Sequence, residues 1–194
     1  MKKIFIALLL TLFLSHTAFA LETYKINFSQ SRIDGSIHYT VVGKYRAIFE
    51  DFGGTVYVDP NTELIKGVKL IIKTASIKSK APNLDNIVKS PQLLNAERYP
   101  EIIYESFDVQ PDDDGQFQSV GHLDLHGVIQ RLDSLFTFEG PMRDEQGRSF
   151  VRVKGEWVFH RKDYNIIWNR FLDKGGILVG NHITVDWEII AYQI

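Results

Sequence analysis

Apolar residues fall at every second position in segment after segment of this chain. Ile33, Ile37 and Tyr39 share one parity, while Arg32, Asp34, Ser36 and His38 hold the other. Ile102 and Tyr104 alternate with Glu101 and Glu105, and Val151, Val153, Trp157 and Phe159 alternate with Arg152, Lys154 and Glu156. Near the end, Ile183, Val185, Trp187 and Ile189 alternate with His182, Thr184, Asp186 and Glu188. Successive side chains of a strand point to opposite faces, so these are strands with one face buried and the other in water. Turn residues separate the runs at Asp59-Pro60-Asn61, Pro111 to Gly115, Asp144 to Gly147 and Lys174-Gly175-Gly176, where Gly, Pro, Asn and Asp suit tight reversals. Strands joined so closely pair antiparallel. Seven to nine of them with one apolar face form a sandwich or a barrel, and closure into a barrel removes the edges that invite aggregation. The expected fold is all-β, a single antiparallel barrel. Only Asn83 to Arg98 lacks the period; Leu84, Ile87, Val88 and Leu94 fit a helical turn or two interrupted at Pro91, a short helical segment over one end of the barrel.

The first twenty residues belong to a different pattern. Lys2 and Lys3 precede the apolar run Ile4 to Leu14, broken only by Thr11, and Ala18-Phe19-Ala20 follows. This is the layout of a secretory signal peptide, so residues 1–20 are expected to be removed, leaving 21–194 as one domain that begins at Leu21. The run is too short to span a bilayer, and no later run comes near the roughly 18 apolar residues of a membrane helix. The mature chain is therefore expected to be exported and water-soluble. With no cysteine there is no disulfide, no thiol for a lipid anchor and no Cys nucleophile. A formal charge of −2 with scattered basic residues argues against nucleic acid as a partner. No Gly-x-Ser-x-Gly elbow, phosphate-cradling glycine loop or zinc-binding HExxH is present, so no catalysis, metal or cofactor is expected.

The inner parity carries large rings, yet Gly35, Gly121 and Gly155 share it. Either these glycines open space beside the rings, or they are the bulges and bends that barrel closure needs. A barrel of about eight strands is either filled by its own side chains or holds one small ligand. An apolar space inside it would favour hydrocarbon, at roughly 0.8 kcal/mol per buried methylene. On the other parity, His122, Asp124 and His126 point to one side. The two histidines are four residues apart, about 13 Å at ~3.3 Å per residue, too far to share one ion. A solvated outer face is expected there, and the acidic run Asp112 to Asp114 is expected to be a hairpin turn, since it lacks the distal Glu of a calcium loop.

Taken in order, several short stretches resemble one family. They are Ser31-x-Ile33; Phe49-Glu50-Asp51-Phe52-Gly53-Gly54-Thr55; Ala75-Ser76-Ile77; Ser90-Pro91 followed by Tyr99-Pro100; Gly121-x-Leu123-x-Leu125-His126-Gly127-Val128; and Arg161-Lys162-Asp163-Tyr164. Their order and spacing are similar to those of YceI-like proteins, the polyisoprenoid-binding, lipocalin-like proteins of bacterial periplasms, over nearly all of 21–194. The resemblance implies an eight-stranded antiparallel lipocalin-like barrel whose tunnel holds one long amphiphile, such as an isoprenoid quinone or polyprenyl chain, with its head group at the mouth. It implies no catalysis. The chain departs from the family pattern at Gly35, usually aromatic, and at Tyr39, usually histidine. It departs again at Asp85-Asn86-Ile87-Val88, where the family has Asp-x-His-Leu, and at Ile129-Gln130-Arg131, where it has Thr-Lys-Pro.

Residue pattern and resemblance together nominate a ligand-binding lining, strand by strand: Ile37 and Tyr39; Phe49 and Phe52; Leu70 and Ile72; Ile102 and Tyr104; Leu123 and Leu125; Phe136 and Phe138; Trp157 and Phe159; Val185 and Trp187. The Tyr39 and Tyr104 hydroxyls either meet a polar group of the ligand or are satisfied within the core. Arg161 is expected to pair with Asp163 at a strand end. The reading is a periplasmic carrier of a long-chain isoprenoid or fatty amphiphile, with transient contact to a membrane protein and self-association both open. Two other readings stand beside it: a filled barrel that docks on a membrane redox partner through 83–98, and a metal-dependent periplasmic enzyme working through His122, Asp124 and His126.

Overall fold

The alternating segments become strands because each can bury one face only against the others, and in the computed structural model they close on themselves. The structure describes residues 20–39, 43–168 and 179–194. In chain order the elements are β1 (Glu22–Ile26), β2 (Arg32–Tyr39), β3 (Gly43–Phe49), β4 (Phe52–Val58), β5 (Ile65–Lys73), β6 (Ile77–Ser79), α1 (Pro82–Lys89), β7 (Glu101–Pro111), β8 (Phe117–Leu125), β9 (Val128–Arg131), β10 (Ser134–Arg143), β11 (Ser149–His160) and β12 (Val179–Gln193). Four pairs of these act as single bent staves: β1 with β2, β3 with β4, β5 with β6, and β9 with β10. Eight staves result, each antiparallel to the next in the chain. The ring closes at β12, which pairs with β11 along one side and on the other takes β2 and then β1, ending at Tyr24↔Gln193. The eight-stranded antiparallel barrel and the short helix over one end are thus both present.

The bends have identifiable causes. Between β1 and β2, the Ser31 hydroxyl donates to the Asn27 carbonyl at 2.7 Å and accepts from the Ile190 amide at 2.9 Å, which stitches the bend to β12. At the far end, three hairpins are fixed by aspartates whose carboxylates accept backbone amides ahead of them: Asp59 from Asn61, Asp112 from Asp114 and Gln116, and Asp144 from Gln146 and Arg148. The acidic run at 112–114 is accordingly the expected turn. The Lys174-Gly175-Gly176 turn and residues 1–19 of the expected signal peptide lie outside the described residues.

Strand register arranges the interior into rows across the barrel. One row reads Phe136, Gly155, Trp187, Ile33. The next towards α1 reads Trp157, Val185, Gly35, Ala47, and the last Phe159, Ile183, Ile37, Tyr45. Aromatic rings crowd the first row, and small residues stand in the second. The glycines divide accordingly. At Gly155 a Cβ would lie 2.5 Å from the Trp187 ring and 2.9 Å from the Leu135 carbonyl oxygen, and at Gly121 it would lie 2.6 Å from the Tyr104 hydroxyl. These two open no space; they let a ring lie directly on the backbone. Gly35 differs: its Cβ would meet nothing closer than 3.9 Å.

Candidate functional site

In the half of the barrel under α1 there is a cavity of about 170 Å³. Its floor is Trp157, whose Nε1 donates to the Ser134 hydroxyl at 3.0 Å and whose ring lies 4.6 Å from Tyr104 and 5.4 Å from Trp187, centroid to centroid. Ile72, Ile102, Leu123, Leu125 and Val185 form the wall, and Gly35 leaves an opening in it. Helix α1 makes the roof with Leu84, Ile87 and Val88, continued by Leu93 and Leu94. These helical residues recur at the three- and four-residue spacing that puts them on one face. Pro82 sits in the first turn, where its missing amide costs nothing, and the helix stops at Ser90, ahead of Pro91.

The roof is latched to the wall by one buried carboxylate. Asp85 on α1, 6% exposed, accepts from the Tyr45 hydroxyl on β3 at 2.7 Å, and from the amide and hydroxyl of Ser79 on β6. Burial works against ionisation of Asp85, but the hydrogen bonds from Ser79 and Tyr45 outweigh it and hold the carboxyl below its ordinary pKa. Burial, aided by the hydrogen bond to Asp85, raises Tyr45, so its hydroxyl stays a donor.

The mouth is organised by Arg161, 1% exposed. Its guanidinium donates to the carbonyls of Ile166 at 2.6 Å, Gly180 at 2.7 Å and Trp168 at 3.0 Å. The planar fork of an arginine suits several carbonyls at once, which a lysine cannot match. Burial lowers its pKa from the usual value. Ile166 and Trp168, both on the cavity lining, are held in place by these bonds.

This barrel with a helix-roofed apolar chamber has relatives. Residues 24–191 match the family model of the YceI-like domain. The chain belongs to the YceI-like family. A UPF0312 protein of Azotobacter vinelandii is 29% identical over 118 residues, which are 61% of this chain and 62% of that protein's length. A UPF0312 protein of Pseudomonas putida is 26% identical over 169 residues, 86% of this chain and 88% of its own. Among solved structures, BcnA of Burkholderia cenocepacia superposes with a TM-score of 0.72 at 16% identity, covering 86% of this chain and 99% of that one. A polyisoprenoid binding domain from Saccharophagus degradans superposes with a TM-score of 0.66 at 12% identity, covering 88% and 98%. At these identities the structural likenesses speak for the fold.

In this YceI-like barrel the nominated lining splits by height. Ile37, Phe49, Ile72, Ile102, Leu123, Leu125, Trp157, Phe159 and Val185 face the cavity. Leu70, Tyr104, Phe136 and Trp187 do not; they surround a separate void of about 20 Å³ below the floor, room for about one water molecule. Phe52 packs on Phe28 at 5.1 Å, and Phe138 on Phe117 at 5.7 Å, so neither reaches the cavity. The Tyr39 side chain lies outside the described residues. The Tyr104 hydroxyl is spent on Ser119 at 2.9 Å, the core alternative for that residue. The expected Arg161 pairing with Asp163 is replaced: Asp163 is exposed, and Arg161 turns inward to carbonyls. His122 lies against Phe107, while His126, at φ 57°, packs its ring at a tilt against Tyr99 and donates from Nδ1 to the Tyr164 carbonyl. Among the described residues, no three His, Cys, Asp or Glu side chains gather as a metal requires. The roof residues, Tyr45, Ile77, Ile166 and Trp168 are on the lining without having been nominated. Only α1 announced itself, through its helical spacing.

Proposed function

We propose that this protein is a periplasmic carrier that binds the apolar end of a long-chain isoprenoid or related amphiphile, reversibly and without catalysis. The observation that carries the reading is the apolar cavity of about 170 Å³ between the Trp157 floor and the α1 roof. Family membership and the likeness to a polyisoprenoid binding domain support the ligand class. The expected signal peptide supports the compartment, and among the described residues no helix is long and apolar enough to cross a membrane.

Magnitudes shape the mechanism. An apolar cavity of roughly 150 Å³ takes one benzene, so this one seats about one or two isoprene units. Micromolar affinity needs about 8 kcal/mol, which at ~0.8 kcal/mol per methylene is roughly ten buried carbons before the cost of association. Binding a whole chain therefore lifts the roof: the tail tip settles above Trp157, and α1 moves out over the rest. The test is native mass spectrometry of the purified protein after incubation with isoprenoid quinones of graded tail length. One molecule bound per chain, more tightly as the tail lengthens, is the expected result; no adduct at any length would overturn the reading.

A further inference from the structure

The charges on this barrel are sorted by end. On the walls they cancel in cross-strand pairs, Lys73 with Glu101, Lys78 with Glu50, and Arg152 with Glu139 and Glu188. At the cavity end, among the described residues, they do not cancel. Lys44 stands near the start of β3, Lys80 precedes α1, Lys89 closes it, Arg98 lies in the loop beyond, and Lys162 follows β11, all exposed except the half-buried Lys89. Among the described residues of the same loops Glu97 and Asp163 are the exposed carboxylates, and Asp85 is buried in the roof. The opposite end is acidic: its three hairpins carry Asp59 and Glu63, Asp112 to Asp114, and Asp144 and Glu145, against Lys66, Arg143 and an Arg148 already paired with Asp144.

Exposed apolar residues occur on the walls and at Ile194 near the acidic end as well, but at the basic end they border the cavity mouth. Ile167 is 71% exposed and Ile87 on the roof 36%, and the half-buried Trp168 lines the mouth. Aliphatic residues set among cations suit an anionic lipid surface, where the apolar groups enter the headgroup layer and the cations meet phosphates. The acidic hairpins are repelled by the same surface, so the field of the whole molecule turns the mouth towards it. We propose that the protein docks mouth-first on a bilayer containing anionic phospholipid, so that the amphiphile passes between membrane and cavity without crossing water. This rests on the carrier reading above.

The experiment is co-flotation of the signal-cleaved chain with vesicles of phosphatidylethanolamine, with and without phosphatidylglycerol, at low and physiological salt. Loading with a long-chain quinone is measured separately in detergent, where no bilayer is present. The parent should float with phosphatidylglycerol vesicles and be released by salt. The triple variant Lys80→Glu, Lys89→Glu, Lys162→Glu should lose at least tenfold in vesicle binding while loading as the parent does. Lys25→Glu, Lys66→Glu, Arg143→Glu, the same charge change away from the mouth, should float as the parent does; thermal melts establish that both triples are folded. Ile167→Ser should weaken flotation and leave its salt dependence intact. Equal binding to both vesicle types, or equal loss in the two triples, overturns the docking proposal. A parent that docks but takes up no quinone in detergent overturns the carrier reading instead.

Discussion

Replacing Gly35 by leucine should stabilise the protein and abolish its capacity for amphiphile in the same step. Gly35 stands in the middle row between Val185 and Ala47. A Cβ there would have the Ala47 carbonyl and the Phe49 ring as its nearest neighbours, both at 3.9 Å, so a larger side chain runs into the cavity without pushing on anything. At roughly 24 cal/mol per Å³ of void, the cavity of about 170 Å³ represents about 4 kcal/mol of missing packing. Leucine fills part of that and also removes the backbone freedom of a glycine from the unfolded chain, worth about 0.4–1 kcal/mol. A net gain of about 1–3 kcal/mol follows, and at about 2–4 °C per kcal/mol for a domain of this size the Tm should rise by roughly 2–12 °C. The melts need delipidated protein, because a bound ligand itself raises Tm. Extraction and mass spectrometry after quinone loading then read capacity. The internal control is Gly155→Leu, where a Cβ 2.5 Å from the Trp187 ring forces overpacking that costs about 1–3 kcal/mol. A Gly35→Leu protein that melts below the parent, or that extracts with as much quinone, would show that the space beside Gly35 is not where the chain sits.

Asp85→Asn leaves the Ser79 and Tyr45 donors facing an amide that accepts at only one atom, so it should cost about 1–3 kcal/mol and speed hydrogen exchange across 82–96 more than in any strand. Acid should lower the protection of 82–96 in the parent: because the folded Asp85 pKa lies below its unfolded value, its contribution is full above the ordinary carboxylate range and is lost as pH falls through the lowered value, below roughly pH 4. Protection factors in α1 that stay flat between neutral and acid pH, with the intrinsic pH dependence of amide exchange divided out, would count against the latch. Arg161→Met removes the donors of the Ile166, Trp168 and Gly180 carbonyls and should lower stability by about 3 kcal/mol or more; an unchanged melt would show that water replaces the guanidinium at no cost. N-terminal sequencing of the protein from a periplasmic fraction should begin at Leu21, and a sequence beginning at Met1 would refute export by cleavage.

The alternating pattern disclosed which side of each strand faces inward, and the barrel follows from that. Pattern does not disclose height along the barrel axis. Trp187 and Val185 share one parity, yet register sets Trp187 in the plugged row beside Gly155 and Val185 in the open row beside Gly35. Height is fixed by pairing between staves distant in sequence, so the division into a filled half and an open half was not legible. The bends that split four staves were equally hidden, since they depend on contacts such as that of Ser31 with Ile190. Helix α1 was legible because Leu84, Ile87 and Val88 break the period of two. Ile166 and Trp168 carry no period at all, and their place at the mouth depends on a buried arginine whose sequence context suggested a surface ion pair.

On the carrier reading the tip of an apolar chain lies on Trp157 beneath α1. A polyprenyl probe with a photoreactive diazirine at its tail end, bound and then irradiated, tests it most directly by peptide mapping of the labelled residues. Labels are expected on Ile72, Ile102, Leu123 and the roof residues Leu84 and Val88. Labels confined to outward-facing residues such as Ile129 and Leu135 would contradict that reading.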